Sequence, residues 1–173
     1  MIKSKNAHER FMISVRHLRT EVYYKMEKNL DKFVQQLQDQ IFEETKEVFG
    51  ETVYKRWREP LFMGTLDHPD GHAKIKGTCG DSIEIFLKFK NGRVTKASFQ
   101  TDGCGPSVVC GSYAAEMAIG KNPDELSEIT GQIILEKLGG LPEDNEHCAF
   151  LAAESLQQAL HDFMMKQTHQ RGK

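Results

Sequence analysis

What the sequence lacks narrows its class first. No stretch approaches the roughly 18 uninterrupted apolar residues that a membrane span requires, and the opening segment MIKSKNAHERFMISVRHLR lacks the apolar block of a secretory signal. A cytoplasmic protein with no membrane partner is therefore expected. Positive charge is not in excess either: 23 Lys and Arg stand against 25 Asp and Glu, a formal net charge of -2. That balance gives no general attraction to phosphates, so no nucleic-acid partner is expected. Repeats and low-complexity tracts are absent. Cysteine is sparse, with four residues, and none of their spacings is CxxC, which leaves a zinc ribbon without support.

What remains is a soluble globular composition, 39% hydrophobic and 28% charged over 173 residues, enough for one ordinary domain plus something extra. Charge is unevenly spread: residues 1–28 hold seven Lys or Arg against three Glu, a net of +4, so the remainder is acidic. In this basic leader Phe11, Val15, Leu18, Val22 and Met26 recur at three- and four-residue steps, the period of one helical face. A partner-docked helix fits better than a membrane-surface one, because Glu9 and Glu21 interrupt the basic face. From Asn29 a second stripe of Leu30, Phe33, Val34, Leu37, Ile41 and Val48 predicts an amphipathic helix of about five turns. Its apolar face must be covered by the domain, another subunit or a partner. Gly50 predicts a break, and Val53, Tyr54 and Trp57 a short helix ending before Pro60.

After a loop around Pro69-Asp70-Gly71, Ile83, Ile85, Leu87 and Phe89 alternate with Glu84, Phe86, Lys88 and Lys90, the period of a strand covering a sheet face. Asn91-Gly92 predicts a tight hairpin turn into a partner strand from Val94 to Thr101, and residues 73–76 a third strand. Helices are expected from Pro106 to near Gly120, after Asn122, from Thr130 to Leu138, and from about Glu146 to Lys166. The fold class is α+β: a three-stranded antiparallel sheet packed against several helices, with a helical N-terminal extension over 1–48, a domain over 49–168 and a tail over 169–173.

In a reducing cytosol, cysteines serve more often as metal ligands or reactive thiols than as disulfides. Cys79, Cys104 and Cys148 fall at the ends of predicted elements, where side chains converge at a sheet edge. Glycines flank Cys104 on both sides and allow close approach to a bound group. Soft thiolates with an imidazole and a carboxylate suit zinc, ferrous iron or an iron–sulfur cluster, not a calcium or magnesium cage. Cys104 and Cys148 precede or occupy helix N-termini, whose positive ends acidify a thiol, so both are expected to be reactive. Cys110, six residues after Cys104 and far off its helical face, is expected to pack in the core. His8, His17, His68, His72, His161 and His169 are expected to be solvated or in turns.

These residues carry a resemblance. CGD at 79–81, DGCG at 102–105 and LPxxxxHC at 141–148 resemble, in order and separation, three signature sites of the NifU/IscU iron–sulfur cluster scaffold family, and FGETVYKRWREPLFMG at 49–64 is similar to its opening helix and loop. The resemblance spans about residues 49–166. It implies a scaffold that receives sulfur from a cysteine desulfurase, binds iron, builds a transient 2Fe-2S cluster with a reductant such as a ferredoxin, and passes it to apo iron–sulfur proteins. It implies an assembly scaffold rather than an enzyme, with Cys79, Cys104 and Cys148 as thiolate ligands and Asp81 and His147 as exchangeable ones. Cys148 is expected to be the persulfide acceptor, exposed enough for a large donor to reach. Where the family has LPPVK, this chain reads Leu141-Pro142-Glu143-Asp144-Asn145, which weakens the case for an Hsp70-type chaperone as partner.

Two alternatives stand beside this reading. A zinc-holding SufU-type sulfur acceptor is disfavoured because such proteins look longer between the second and third cysteines and lack a histidine at the position of His147. A purely structural zinc module ranks last, since closed structural sites usually take four strong ligands.

Overall fold

The computed structural model describes the backbone of residues 7–171 and the side chains of residues 21–169. The chain divides into two compact units, Met1–Glu44 and Thr45–Lys173. Helix α1, Ala7–Arg58, supplies the described part of the first unit and the opening of the second. Two separate helices divided at Asn29 were expected, yet the helix runs through Asn29 unbroken. The reason is local: no glycine or proline occurs between residues 7 and 49. Gly50 does leave helical geometry, at φ 81° and ψ 160°, as a kink within α1 rather than its end. In the first unit the apolar side chains Val22, Met26, Leu30, Phe33, Leu37 and Ile41 are exposed, so the cover expected for this stripe is not found among the described residues.

The second unit carries the expected α+β architecture. Strands β1 (Gly71–Lys76), β2 (Ser82–Lys90) and β3 (Arg93–Thr101) form an antiparallel sheet in the order β1-β2-β3. Helices α2 (Gly105–Ala118), α3 (Pro123–Ser127), α4 (Gly131–Leu138) and α5 (His147–Arg171) follow. The period-2 pattern of β2 does what it predicts: Ile83, Ile85 and Leu87 are fully buried and meet α5 residues Leu156, Ala159 and Leu160 and α2 residues Val109 and Ala114 in one core. Phe89 stacks on Phe163 of α5. Phe86, on the opposite face, is also buried, and the His72 ring stacks on it at 4.8 Å. His72 is thus no solvated turn residue but part of β1, its Nε2 2.7 Å from Glu84 Oε1. His68 and His161 are exposed as expected, while His8 and His17 lie outside the described side chains.

Local chemistry sets the helix boundaries. Asn122 and Glu125 form a reciprocal capping box at the start of α3. The Thr130 side chain caps α4, and Gly139 at φ 83° ends it. The end of α1 is fastened to α2 by Arg56, whose guanidinium lies 4.0 Å over the Tyr113 ring, donates to Ser112 Oγ at 3.1 Å and pairs with Glu116.

Candidate metal centre

The register of the sheet assembles the site. Ile83 of β2 pairs with Thr101 of β3, so the turn entering β2, which holds Cys79 and Asp81, lies beside the turn leaving β3, which holds Cys104. Two hydrogen bonds fix these turns together, Thr101 Oγ1 donating to Ser82 O at 2.7 Å and Asp102 Oδ1 accepting from Ser82 N–H at 2.7 Å, and a third, from Gly103 N–H to Thr101 Oγ1 at 3.0 Å, braces the turn leaving β3. Helix α5 crosses the same sheet, with Ser155 Oγ 3.2 Å from Ile83 O, and brings His147 and Cys148 in its first turn to this end.

There the predicted residues meet unequally. Cys104 Sγ and Cys148 Sγ are 4.0 Å apart, and His147 Nε2 is 3.6 Å from Cys148 Sγ. Asp81 Oδ2 accepts from Cys104 N–H at 3.0 Å. Cys79 is exposed and makes no hydrogen bond to the other four. Among the described residues, no three His, Cys, Asp or Glu side chains are gathered tightly enough to hold a metal ion in this conformation. The donor set is thus brought to one end of the sheet without being closed around a centre.

At the middle sits a residue that the sequence reading missed. Ser107 is fully buried, and its hydroxyl donates to Asp81 Oδ2 at 2.8 Å. The same oxygen lies 3.4 Å from Cys148 Sγ and 3.6 Å from Cys104 Sγ. A signal for it existed: Cys104 is the N-cap of α2, and the residue three places on is where a capping box finds its return partner. With the Cys104 amide and the Ser107 hydroxyl both donating to it, Asp81 is held below the usual carboxylate range. Gly103 belongs to the same packing, because a Cβ there would stand 2.4 Å from Asp81 Oδ2.

Cys148 corrects one expectation. It was expected to be acidified and exposed, yet it is fully buried and its thiol is pushed up to about 12. Desolvation is the main cause, the Ser107 hydrogen bond opposes it, and the neighbouring Cys104 adds to it. The partial positive charge of the α5 terminus does not offset the loss of water around a thiolate. Cys110 is buried as expected, and desolvation raises its thiol far above the ordinary range. Beside Cys104, the aromatic side chains of Phe49, Tyr54 and Trp57 line a groove of about 220 Å³ with Gly105 and Pro106. A Cβ on Gly105 would sit 3.2 Å from Trp57 Nε1, which explains the glycine.

Residues 48–170 match the family described as NifU-like N terminal domain. The chain belongs to that family. Archaeoglobus fulgidus iron-sulfur cluster assembly scaffold protein IscU 1 is 35% identical over 120 residues, covering 69% of this chain and 78% of its own. Haemophilus influenzae iron-sulfur cluster assembly scaffold protein IscU is 32% identical over 124 residues, 69% of this chain and 98% of its own. Among solved structures, a NifU-like protein (N-terminal) from Brucella abortus superposes with a TM-score of 0.57 at 18% identity, covering 70% of this chain and 98% of its own. A putative scaffold protein for the SUF system from Fervidobacterium islandicum gives 0.53 at 18% identity, covering 66% and 98%. At such identities the two structures establish the fold, which is the family's three-stranded sheet with its helices. The family match starts just before Gly50 and so leaves most of α1 outside it.

Proposed function

We propose that this chain is a scaffold for iron–sulfur cluster assembly in the cytoplasm, in which residues 49–168 hold the cargo, residues 1–48 form a separate helical arm and residues 169–173 a tail. A cysteine desulfurase supplies sulfur, iron is bound, and a transient 2Fe-2S cluster is built and passed to apo iron–sulfur proteins. The observation that carries the reading is the meeting of Cys104, Cys148 and Asp81 around the Ser107 hydroxyl at one end of the sheet, with the His147 ring beside Cys148. Two thiols, an imidazole and a carboxylate are donors that iron and zinc accept. Cys79, exposed in a turn with Gly80 at φ 97°, completes the set when that turn folds over the cargo.

Cys148 is the sulfur acceptor in this proposal because of position, not exposure. A sulfane sulfur on its Sγ lies among the other donors, where the sulfide of a cluster must end. The exposed His147 side chain is what a docking donor displaces to reach it. Sulfane sulfur carries two electrons fewer than sulfide, so a reductant such as a ferredoxin completes the step. Asp81 and His147 are the exchangeable ligands: a carboxylate is harder than a thiolate and leaves iron first, opening a position for an acceptor cysteine. The protein acts as scaffold and carrier rather than as an enzyme. Glu143 and Asp144 occupy the short turn before α5, and their acidity gives an Hsp70-type chaperone no basic handle there.

Anaerobic reconstitution with ferrous iron, cysteine and a desulfurase, followed by visible absorption and iron, zinc and sulfide analysis, tests the proposal. The expected product holds iron and sulfide in equal amounts. Tightly held zinc and no cluster would instead support a SufU-type sulfur acceptor. Persulfide mapping on the same samples is expected to place sulfur on Cys148; sulfur on Cys79 or Cys104 alone would refute that assignment.

A further inference from the structure

One hydroxyl hydrogen at the donor cluster faces more acceptors than it can serve. Ser107 Oγ lies 2.8 Å from Asp81 Oδ2, 3.4 Å from Cys148 Sγ and 3.6 Å from Cys104 Sγ. A serine carries a single O–H, so it donates to one of the three at a time. Ser107 is fully buried in the first turn of α2, where solvent cannot stand in for it. Its backbone has little room to follow the hydrogen: a Cβ on Gly103 would stand 2.8 Å from Ser107 Cβ and 2.4 Å from Asp81 Oδ2, so the turn leaving β3 already presses on both. Rotation of one O–H bond is enough to change its partner.

We propose that Ser107 is a positioning residue for cluster release: its hydroxyl donates to Asp81 Oδ2 while that carboxylate is off iron, and to Cys148 Sγ while the carboxylate is on it. The inference rests on the scaffold reading, in which Asp81 is the ligand that leaves first. Off iron, Asp81 Oδ2 is held by two donors, the Ser107 hydroxyl and the Cys104 amide at 3.0 Å. The departing carboxylate therefore moves into hydrogen bonds that are already in place, and the position it vacates on iron is open to an acceptor cysteine. On iron, Asp81 gives those bonds up and the hydroxyl turns to the Cys148 sulfur, within reach without movement of α2. The two partners are unequal. A hydrogen bond to a carboxylate is charge-assisted and stronger than one to a sulfur, so the exchange favours the open state. Only an iron–carboxylate bond and hydrogen bonds are exchanged; no proton leaves its oxygen and no electron moves.

The full chain as Ser107→Ala, Asp81→Ala and the double variant, each reconstituted anaerobically beside the parent, tests the inference. Cluster transfer to an apo-ferredoxin, cluster decay without acceptor and thermal unfolding are measured on the same samples, below the lowest unfolding midpoint. Ser107→Ala should slow transfer about five-fold, the factor that separates a charge-assisted hydrogen bond from an ordinary one, without faster decay. In the Asp81→Ala background the same substitution should leave transfer unchanged, because the partner of the hydroxyl in the open state is gone. A serine that only packs would slow both backgrounds alike. In the loaded protein, losing the hydrogen bond to Cys148 Sγ should also move sulfur-to-iron absorption to longer wavelength, since that bond stabilises the sulfur electrons. Equal transfer by Ser107→Ala and the parent, the same slowing in both backgrounds, or an unmoved absorption would each overturn the inference. So would faster transfer with faster decay, the result expected if Asp81 binds iron through Oδ1 and keeps the hydroxyl on Oδ2 throughout. A parent chain that forms no cluster would instead remove the scaffold reading, and this inference with it.

Discussion

Cys148 and Asp81 show how the residues around a group, not its type, set its chemistry. Two thiols 4.0 Å apart differ in access: Cys104 is exposed and Cys148 buried, while Cys110 is sealed in the core. Brief iodoacetamide treatment of the metal-free protein should therefore alkylate Cys79 and Cys104 first, Cys148 slowly and Cys110 last, as read by peptide mass spectrometry. Labelling of Cys148 ahead of Cys104 would contradict the burial described. The carboxylate of Asp81 is held by one amide and one hydroxyl, so Asp81→Ala leaves the fold anchored elsewhere through Asp102 and Thr101. That variant should keep its cluster at least as long as the parent yet transfer it more slowly to an apo-ferredoxin, because the ligand that leaves first is gone. Faster cluster decay with unchanged thermal unfolding would rule out the exchangeable-ligand role. Ser107→Ala removes a buried hydrogen bond worth about 1 kcal/mol, and should lower the unfolding midpoint while Asp81 keeps only the Cys104 amide.

At the level of elements, close approach between backbones is what holds α5 on the sheet and so carries Cys148 to Asp81. Gly71 opens β1 against α5, where a Cβ would meet the Ala159 carbonyl oxygen 2.4 Å away and Phe163 Cβ at 3.0 Å. A backbone carbonyl cannot rotate aside as a side chain does. Gly71→Ala should cost about 1–3 kcal/mol in urea unfolding, and His72, whose amide donates to Asp162 of α5, should lose that bond. The capping box of α3 supports a shorter helix whose Leu126 is fully buried. Asn122→Ala should cost about 1 kcal/mol, detectable as a lowered midpoint with an unchanged slope.

For the whole molecule, the two units differ in what stabilises them. Residues 45–173 bury a continuous core of Ile83, Ile85, Leu87, Phe99, Leu126, Ile134 and Leu156, whereas the described part of residues 1–44 is helix with its apolar stripe exposed. A chain beginning at residue 45 should fold cooperatively and bind cargo, as read by urea unfolding and cluster reconstitution. Loss of cargo binding in a folded truncation would assign the arm to the site. No described helix is long and apolar enough to cross a membrane.

The sequence by itself determined the three strands, the order of the helices and the three cysteine motifs, because these rest on local rules. A period of two in Ile83, Ile85 and Leu87, the Asn91-Gly92 turn and the caps at Asn122 and Thr130 each act within a few residues. The motifs carried the family resemblance for the same reason: CGD, DGCG and HC are readable as strings. The continuity of α1 past Asn29 was also written locally, in the lack of glycine and proline, but two amphipathic patterns in succession look like two helices. Only the tertiary structure decided the state of Cys148 and the place of Ser107. Desolvation depends on what α2 and the sheet lay over the start of α5, and no spacing along one chain measures it. Ser107 acquires its role when two turns and a helix end, brought together by the pairing of Ile83 with Thr101, put a carboxylate and two thiols around one hydroxyl.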